Sequence, residues 1–362
     1  MKYFHIERFN ATLTVLSPVF IGGGQDSSLN KKNTVFLPGK PYLLIPDEAR
    51  LVTALSSMGL LDAYEAFLWS GVNNDLYSFL TEQGVPVRED AEWVAYSLEC
   101  HESRINTLKL FIKLPDGTPY IPGSSVKGAL RTALLASKMD KSSMQNLLQN
   151  AENNPRNRYQ GDEEKLLRTL TLDIKHPYDA VNDQMRGISV SDSAPIGLGS
   201  LVVTNKKDMK YGSGMYREGK IPLLRECLKP GTAARLTISL DTSVFPLRCF
   251  DELKQALQKR DEVLQRCYYD LFQADTDDLF CPEGEYPLSL GAGIGFQQKT
   301  LLYAAPDAEE ARKTAHYVLN RQFSKTYKAG PGSSYPAPYC LKLTEYRDGY
   351  YSYGRCAIGF ET

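Results

Sequence analysis

Thr118 to Lys138 reads TPYIPGSSVKGALRTALLASK. Pro119 to Gly123 has the composition of a tight turn leaving a strand, and Ser124 or Ser125 can act as the N-cap of a helix, accepting from its first free amides. Val126, Ala129, Leu130, Ala133 and Leu134 then recur at helical spacing and define one apolar stripe facing a core. Lys127 and Arg131, four residues apart, share another face, where like charges cost a few tenths of a kcal/mol unless an anion neutralises them. Gly128 lies between them, costs ~1 kcal/mol relative to Ala in a helix interior, and leaves bare backbone where a partner can come close. Free amides, two hydroxyls, a bare patch and two cations together suit a phosphate. The same spacing also fits an ordinary amphipathic helix with a solvated basic face.

The whole chain has 362 residues, 42% of them hydrophobic and 23% charged, which is enough for two cores. No apolar run approaches the ~18 residues of a membrane span, and MKYFHIERFN lacks the layout of a signal peptide, so a cytoplasmic protein without a membrane partner is expected. Seven cysteines, spread singly without a CxxC pair, argue against a disulfide framework or a zinc ribbon. A net charge of −1 confines any nucleic-acid surface to a local patch.

ATLTVLSPVFI, residues 11–21, alternates as a strand and runs into Gly22, Gly23 and Gly24, which allow a loop to approach a ligand closely or simply form a surface turn. Tyr42 to Ile45 is a second expected strand, followed by a helix capped by Asp47. Helical patterns around AYEAFLW, DLYSFL and DAEWVAYSL predict a helical insert over about residues 60–100. Ile105 to Leu114 reads as a strand, residues 150–161 as a polar loop, and Gly187 to Ile196 and Leu201 to Thr204 as paired strands. Between Asn205 and Arg235 eight cations oppose three carboxylates, with Tyr211 and Tyr216 interleaved. Such a segment, here including Lys206 and Lys207, suits a phosphate track with stacking platforms, or an unremarkable solvated loop. Ala233 to Leu240 closes the first unit as a strand, Ser243 to Gln273 has sustained helical periodicity, and a terminal hairpin turns at Asp348-Gly349. In LSLGAGIGFQQKT the glycines Gly291, Gly293 and Gly295 form GxGxG without a clear helix start at Phe296, so a dinucleotide fold is rejected; no Walker A run is present either.

Three stretches, LTVLSPVFIGGG, TPYIPGSSVKGALRTALL and LSLGAGIGFQQKT, resemble in order the motifs of the RAMP superfamily, the RNA-binding proteins of CRISPR effector complexes. Within that family the length, RECLKPGTAARLTISL and the ending APYCLKLTEYRDGYYSYGRCAIGF are most similar to the single-copy subunits of type III-A (Csm) complexes. The resemblance implies an α+β fold of two ferredoxin-like (RRM-like) βαββαβ domains, residues 1–240 and 241–362. The helical insert and a β-hairpin thumb near 205–225 would belong to the first domain and the glycine-rich loop to the second. It implies a non-catalytic subunit that caps the 3′ end of the crRNA and is needed for its maturation in antiviral defence. The implied partners are crRNA, target RNA, the backbone RAMP subunit, the small helical subunit and recruited host nucleases. Ser124, Ser125, Lys127 and Arg131 would touch phosphate, and Gly22, Gly23, Gly24, Gly291, Gly293 and Gly295 would offer main-chain amides, helped by Gln297 and Lys299. Lys206, Lys207 and Tyr211 would lie on the thumb.

No cofactor, metal or catalytic residue is expected. His5, His101, His176 and His316 are isolated in sequence, and neither HExxH nor GxSxG occurs. A rival function is a RAMP-type endoribonuclease with Asp26 or a histidine at its centre.

Overall fold

The computed structural model describes every residue except 1–4, 25, 26, 72, 73, 103–105, 155–162, 212–215, 219–222, 274–278, 281, 305–307, 330, 331, 348 and 362. Asp26, Asp348 and most of the polar loop at 150–161 therefore lie outside the described residues. The helices in chain order are α1 Glu48–Ser57, α2 Leu61–Trp69, α3 Leu76–Glu82, α4 Gly123–Ser137, α5 Lys141–Asn153, α6 Leu247–Leu264, α7 Asp270–Gln273, α8 Gly295–Lys299 and α9 Ala308–Gln322. A π-helical turn, Gln265–Tyr269, joins α6 to α7, so the long helix expected over 243–273 is nearly continuous.

Two sheets make a mixed α+β architecture. The first is antiparallel and orders Pro287–Ser289, Arg355–Glu361, Ile6–Val15, Ala233–Asp241 and Ile188–Val190. Its central strand buries Ala11, Leu13 and Val15 at every second position, as one buried face of a pleated strand requires. Helices α4 and α6 pack on each other, α4 against the Ile188–Val190 edge and α6 against the Pro287–Ser289 edge. Phe250 of α6 stacks on Phe9 at 4.9 Å and meets Phe360 edge-on at 5.0 Å, tying that helix to the two central strands.

In the second sheet Leu201–Lys210 is the hub. It pairs with Leu224–Leu228, Cys340–Tyr346, Tyr216–Glu218 and, through Glu99↔Val202, with Val94–Glu99. Tyr42–Pro46 and Val35–Phe36 extend one arm; Gly349–Ser352 and Leu279–Phe280 extend another. Strands from either side of residue 240 thus share both sheets, and the main core runs from Ala11 to Ile358. A separate small core, including Leu51, Phe67, Phe79 and Trp93, lies within α1 to α3 and their flanks.

Several sequence expectations need correction. DAEWVAYSL ends in the strand Val94–Glu99, not a helix, because Leu44 and its neighbours in Tyr42–Pro46 offer a sheet edge for backbone pairing. Ile188–Val190 and Leu201–Lys210 sit in different sheets and do not pair with each other. Ladder pairing within 105–114 is confined to Leu108–Lys109, flanked by single bridges at Phe111 and Lys113. Phe296 does sit in a short helix, α8.

Candidate nucleic-acid interface

Helix α4 starts two residues earlier than an N-cap at Ser124 would place it, and three earlier than one at Ser125. Pro122 occupies its N-cap position without a side-chain bond, and neither Ser124 nor Ser125 caps it. Gly123 crosses so close to the backbone of Val190 and Ser191 that a Cβ would collide with both carbonyls. Its amide donates instead to Asp192 Oδ1 at 2.8 Å, a carboxylate placed where the helix dipole favours it. Ser124 is left exposed and Ser125 half-buried.

The face of α4 that carries Ser125, Gly128, Ala129 and Thr132 lines a cleft of about 310 Å³. Its other walls are Leu257, Arg260, Asp261 and Leu264 of α6 and residues 287–291 with Ile294, Gln298 and Lys299. Nothing lies within 4 Å of a Cβ built on Gly128, so packing does not demand glycine there. The cleft brings parts of two separated sequence motifs together: Ser125 and Gly128 from one, Gly291 and Lys299 from the other.

The glycine loop is held from below by the segment leaving the first strand. Ala292 N donates to Phe20 O at 2.8 Å, Leu290 N to Gly354 O at 2.9 Å, and Gly354 N to Pro18 O at 3.0 Å. Gly291 has φ +84° with its Cα hydrogens against the Phe20 carbonyl, so an L side chain would be both strained and blocked. Gly293 and Gly295 face Arg225 and the Gln297 amide respectively. Arg225, 8% exposed, lies between the Phe20 and Tyr353 rings at 5.1 and 5.0 Å and donates to Ala292 O at 3.2 Å, pinning the loop. Two residues beyond Phe20, the chain turns into exposed Gly22, Gly23 and Gly24, where Gly22 bridges Phe111.

Arg260 is the cation that sequence reasoning missed. Its Nη2 donates to Gln298 O at 2.9 Å and Thr300 O at 3.1 Å, while Nη1 is buried with no partner among the described residues. Burial pulls its pKa down to about 10, so it stays charged at neutral pH. The signal was available: Arg260 interrupts the apolar stripe Leu253, Ala256, Leu257, Leu264 of α6 at a position where an aliphatic residue is expected. Its neighbour Asp261 is spent on Arg355, which is 2% exposed, through a bidentate pair at 2.8 and 2.9 Å.

The remaining predicted contacts lie elsewhere. Lys127 Nζ donates to Ile188 O at 2.6 Å and Arg131 pairs with Asp183 at 2.5 Å, on the flank of α4 that faces the Ile188–Val190 edge. Burial lowers the Lys127 pKa, opposed by the nearby Asp183 carboxylate. Leu201–Lys210 and Tyr216–Glu218 do pair as a hairpin, with its connecting residues 212–215 outside the described set. On it, Lys206 pairs with Asp208 at 2.9 Å, Lys207 with Glu345, and Tyr211 packs on Phe272 and Tyr335 at 5.7 and 5.4 Å. His101 and His176 are exposed beside Glu99 and Asp173, and His316 is buried between Tyr327 Oη and Tyr335 O. Among the described residues no group of three or more His, Cys, Asp or Glu could hold a metal ion, and no helix is long and apolar enough to cross a membrane.

A sequence model of the RAMP superfamily matches residues 12–267. Among curated proteins, the "CRISPR system Cms protein Csm5" of Mycobacterium tuberculosis is 27% identical over 98% of both chains. The protein of that name from Streptococcus thermophilus is 28% identical over 88% of this chain and 84% of its own. Among solved structures, a chain of a Csm–crRNA–target RNA ternary complex of a type III-A CRISPR-Cas system superposes with a TM-score of 0.65 at 21% identity, covering 98% of this chain and all of that one. The crystal structure of Csm5 from T. onnurineus gives 0.59 at 22% identity, covering 95% and 99%.

Proposed function

The chain belongs to the RAMP superfamily, and from that membership we propose that it is a non-catalytic guide-RNA-binding subunit of a type III-A CRISPR (Csm) effector complex. In this role it caps the 3′ end of the crRNA in the cytoplasm and supports crRNA maturation through recruited nucleases. It sits beside the backbone RAMP subunit and the small helical subunit, with the target RNA paired to the guide. On this reading the two ferredoxin-like βαββαβ units divided near residue 240 are interleaved, each contributing strands to both sheets.

One observation carries the proposal: a single cleft joins Ser125 and Gly128 to Gly291 and Lys299 around the buried cation of Arg260. A ribose-phosphate chain fits such a place because phosphates take amides, hydroxyls and a few cations, and close approach needs missing side chains. The RNA runs past exposed Ser124 and the amides of Gly22 to Gly24, Gly293 and Gly295. Lys127 and Arg131 join it by exchanging Ile188 O and Asp183 for phosphate, and Lys206, Lys207 and Tyr211 form the base of the thumb. Binding is favoured over cleavage because the described histidines are paired, buried or remote from this cleft.

The test uses the full chain with a labelled crRNA precursor, with and without magnesium. Binding without cleavage is expected, and Lys299→Ala should flatten the slope of log affinity against log salt by about 0.7 for the lost single-strand phosphate contact. Specific cleavage that disappears in Asp26→Ala or in a histidine variant, or an unchanged slope in Lys299→Ala, overturns the proposal.

A further inference from the structure

The segment from Asp47 to Trp93 lies apart from the cleft and is built on the small separate core. Within it nine carboxylates oppose only Arg50 and Arg88, a formal −7 in a chain whose total is −1. The rest of the chain is correspondingly basic. This acidic pole also carries the most exposed large apolar side chain on the molecule's helices: Trp69 is 84% exposed, and Met58, Leu61 and Leu68 are 46%, 41% and 45% exposed.

These side chains form a pattern. Leu61 and Leu68 are seven residues apart on α2 and Trp69 follows directly, so the three fall toward one side of the helix, while Met58 ends α1 just before it. Asp62 and Glu65, both exposed, are interleaved with them. The platform under them is firm. Phe67 stacks on Phe79 at 4.7 Å, Tyr64 lies 5.7 Å from Phe79, and Lys32 Nζ donates to carbonyls at the end of α2 and just beyond it, Leu68 O at 2.8 Å and Ser70 O at 2.6 Å. Trp69 is therefore presented from a helix end whose backbone is already fixed.

We propose that this face of α2 docks a basic amphipathic helix of a partner protein. Apolar side chains at i, i+7 and i+8 give α2 a ridge against which a second amphipathic helix can pack, and the interleaved carboxylates select a cationic partner. RNA is excluded because a segment of this charge repels a phosphate backbone. A second copy of this chain is disfavoured because a two-fold contact would set acidic face against acidic face. The chain thus separates two recognition tasks: nucleic acid at the cleft, a cationic polypeptide at the insert.

The probe is a synthetic amphipathic helical peptide of leucine and lysine, titrated into the full chain, with a scrambled peptide of the same composition as control. Tryptophan emission should shift to the blue on saturation, reporting Trp69, because Trp93 is already 4% exposed. Trp69→Ala should weaken binding of a labelled peptide by about tenfold or more. Asp62→Lys with Glu65→Lys should weaken it similarly and remove its salt dependence, and both variants should bind crRNA like the parent chain. Equal binding of the peptide by Trp69→Ala, equal binding of the scrambled control, or displacement of the peptide by RNA overturns the proposal. So does concentration-dependent self-association lost in Trp69→Ala, which would assign the face to a second copy.

Discussion

Gly128 offers the sharpest separation of stability from binding. Replacing it with Ala adds a methyl group where nothing lies within 4 Å, and the better helix propensity should stabilise the protein by ~1 kcal/mol. For a chain of this size that is a rise in Tm of roughly 1–2 °C. Gly128→Glu also keeps a good helix former but puts a carboxylate into the cleft beside Ser125 and Lys299. A phosphate about 5 Å from that carboxylate, at an effective dielectric constant near 20, feels a repulsion of about 3 kcal/mol, or ~150-fold in affinity before screening by salt. Calorimetry of both variants, paired with anisotropy of a labelled crRNA 3′ fragment at two salt concentrations, reads the two effects. A Gly128→Glu protein that melts at or above the parent's temperature and still binds RNA with the parent's affinity refutes the placement of RNA in this cleft.

Two further predictions concern what holds the site. Arg355→Met should cost about 1–3 kcal/mol in chemical denaturation because it removes a bidentate charge-assisted pair and leaves half-buried Asp261 without its partner; adding Asp261→Leu should recover a good part of that loss, and no recovery would mean the pair is incidental. At the hairpin base, burial raises the Asp208 pKa but the hydrogen bonds and charges of Lys342 and Lys206 outweigh it, so the net shift is downward. A carboxyl with a lowered folded-state pKa contributes stability that is present above the unfolded-state value and is lost as pH falls through the folded-state value. Asp208→Asn should therefore destabilise by about 1–3 kcal/mol at pH 7, with the difference from the parent shrinking steadily below pH ~4. A difference independent of pH would contradict it.

What could be read from sequence was what is local. The 3.6-residue period of Val126, Leu130, Ala133 and Leu134 fixed α4, the gap at Gly128 marked its open face, and Asp47 capped α1 as expected, accepting from Arg50 N at 3.0 Å. Non-local partners were hidden. Arg131 meets Asp183 and Gly123 meets Asp192, each across more than fifty residues, and no spacing rule announces such pairs. The same holds for Tyr211, whose aromatic neighbours come from α7 and from the segment before Cys340–Tyr346. Two misses were legible after all. Val94, Tyr96 and Leu98 alternate with exposed or half-buried Ala95, Ser97 and Glu99, a two-residue period that belongs to a strand. Arg260 stands out in an otherwise aliphatic stripe, which is how a cation buried beside a cleft shows itself in one dimension.

The most direct measurement is a crosslink map of the full chain bound to crRNA carrying 4-thiouridine near its 3′ end, read by mass spectrometry of the crosslinked peptides. Crosslinks concentrated in peptides spanning residues 123–132 and 287–299 are predicted. Crosslinks confined to the acidic insert at 47–93, or scattered with no excess at the two motifs that meet in the cleft, would contradict the account.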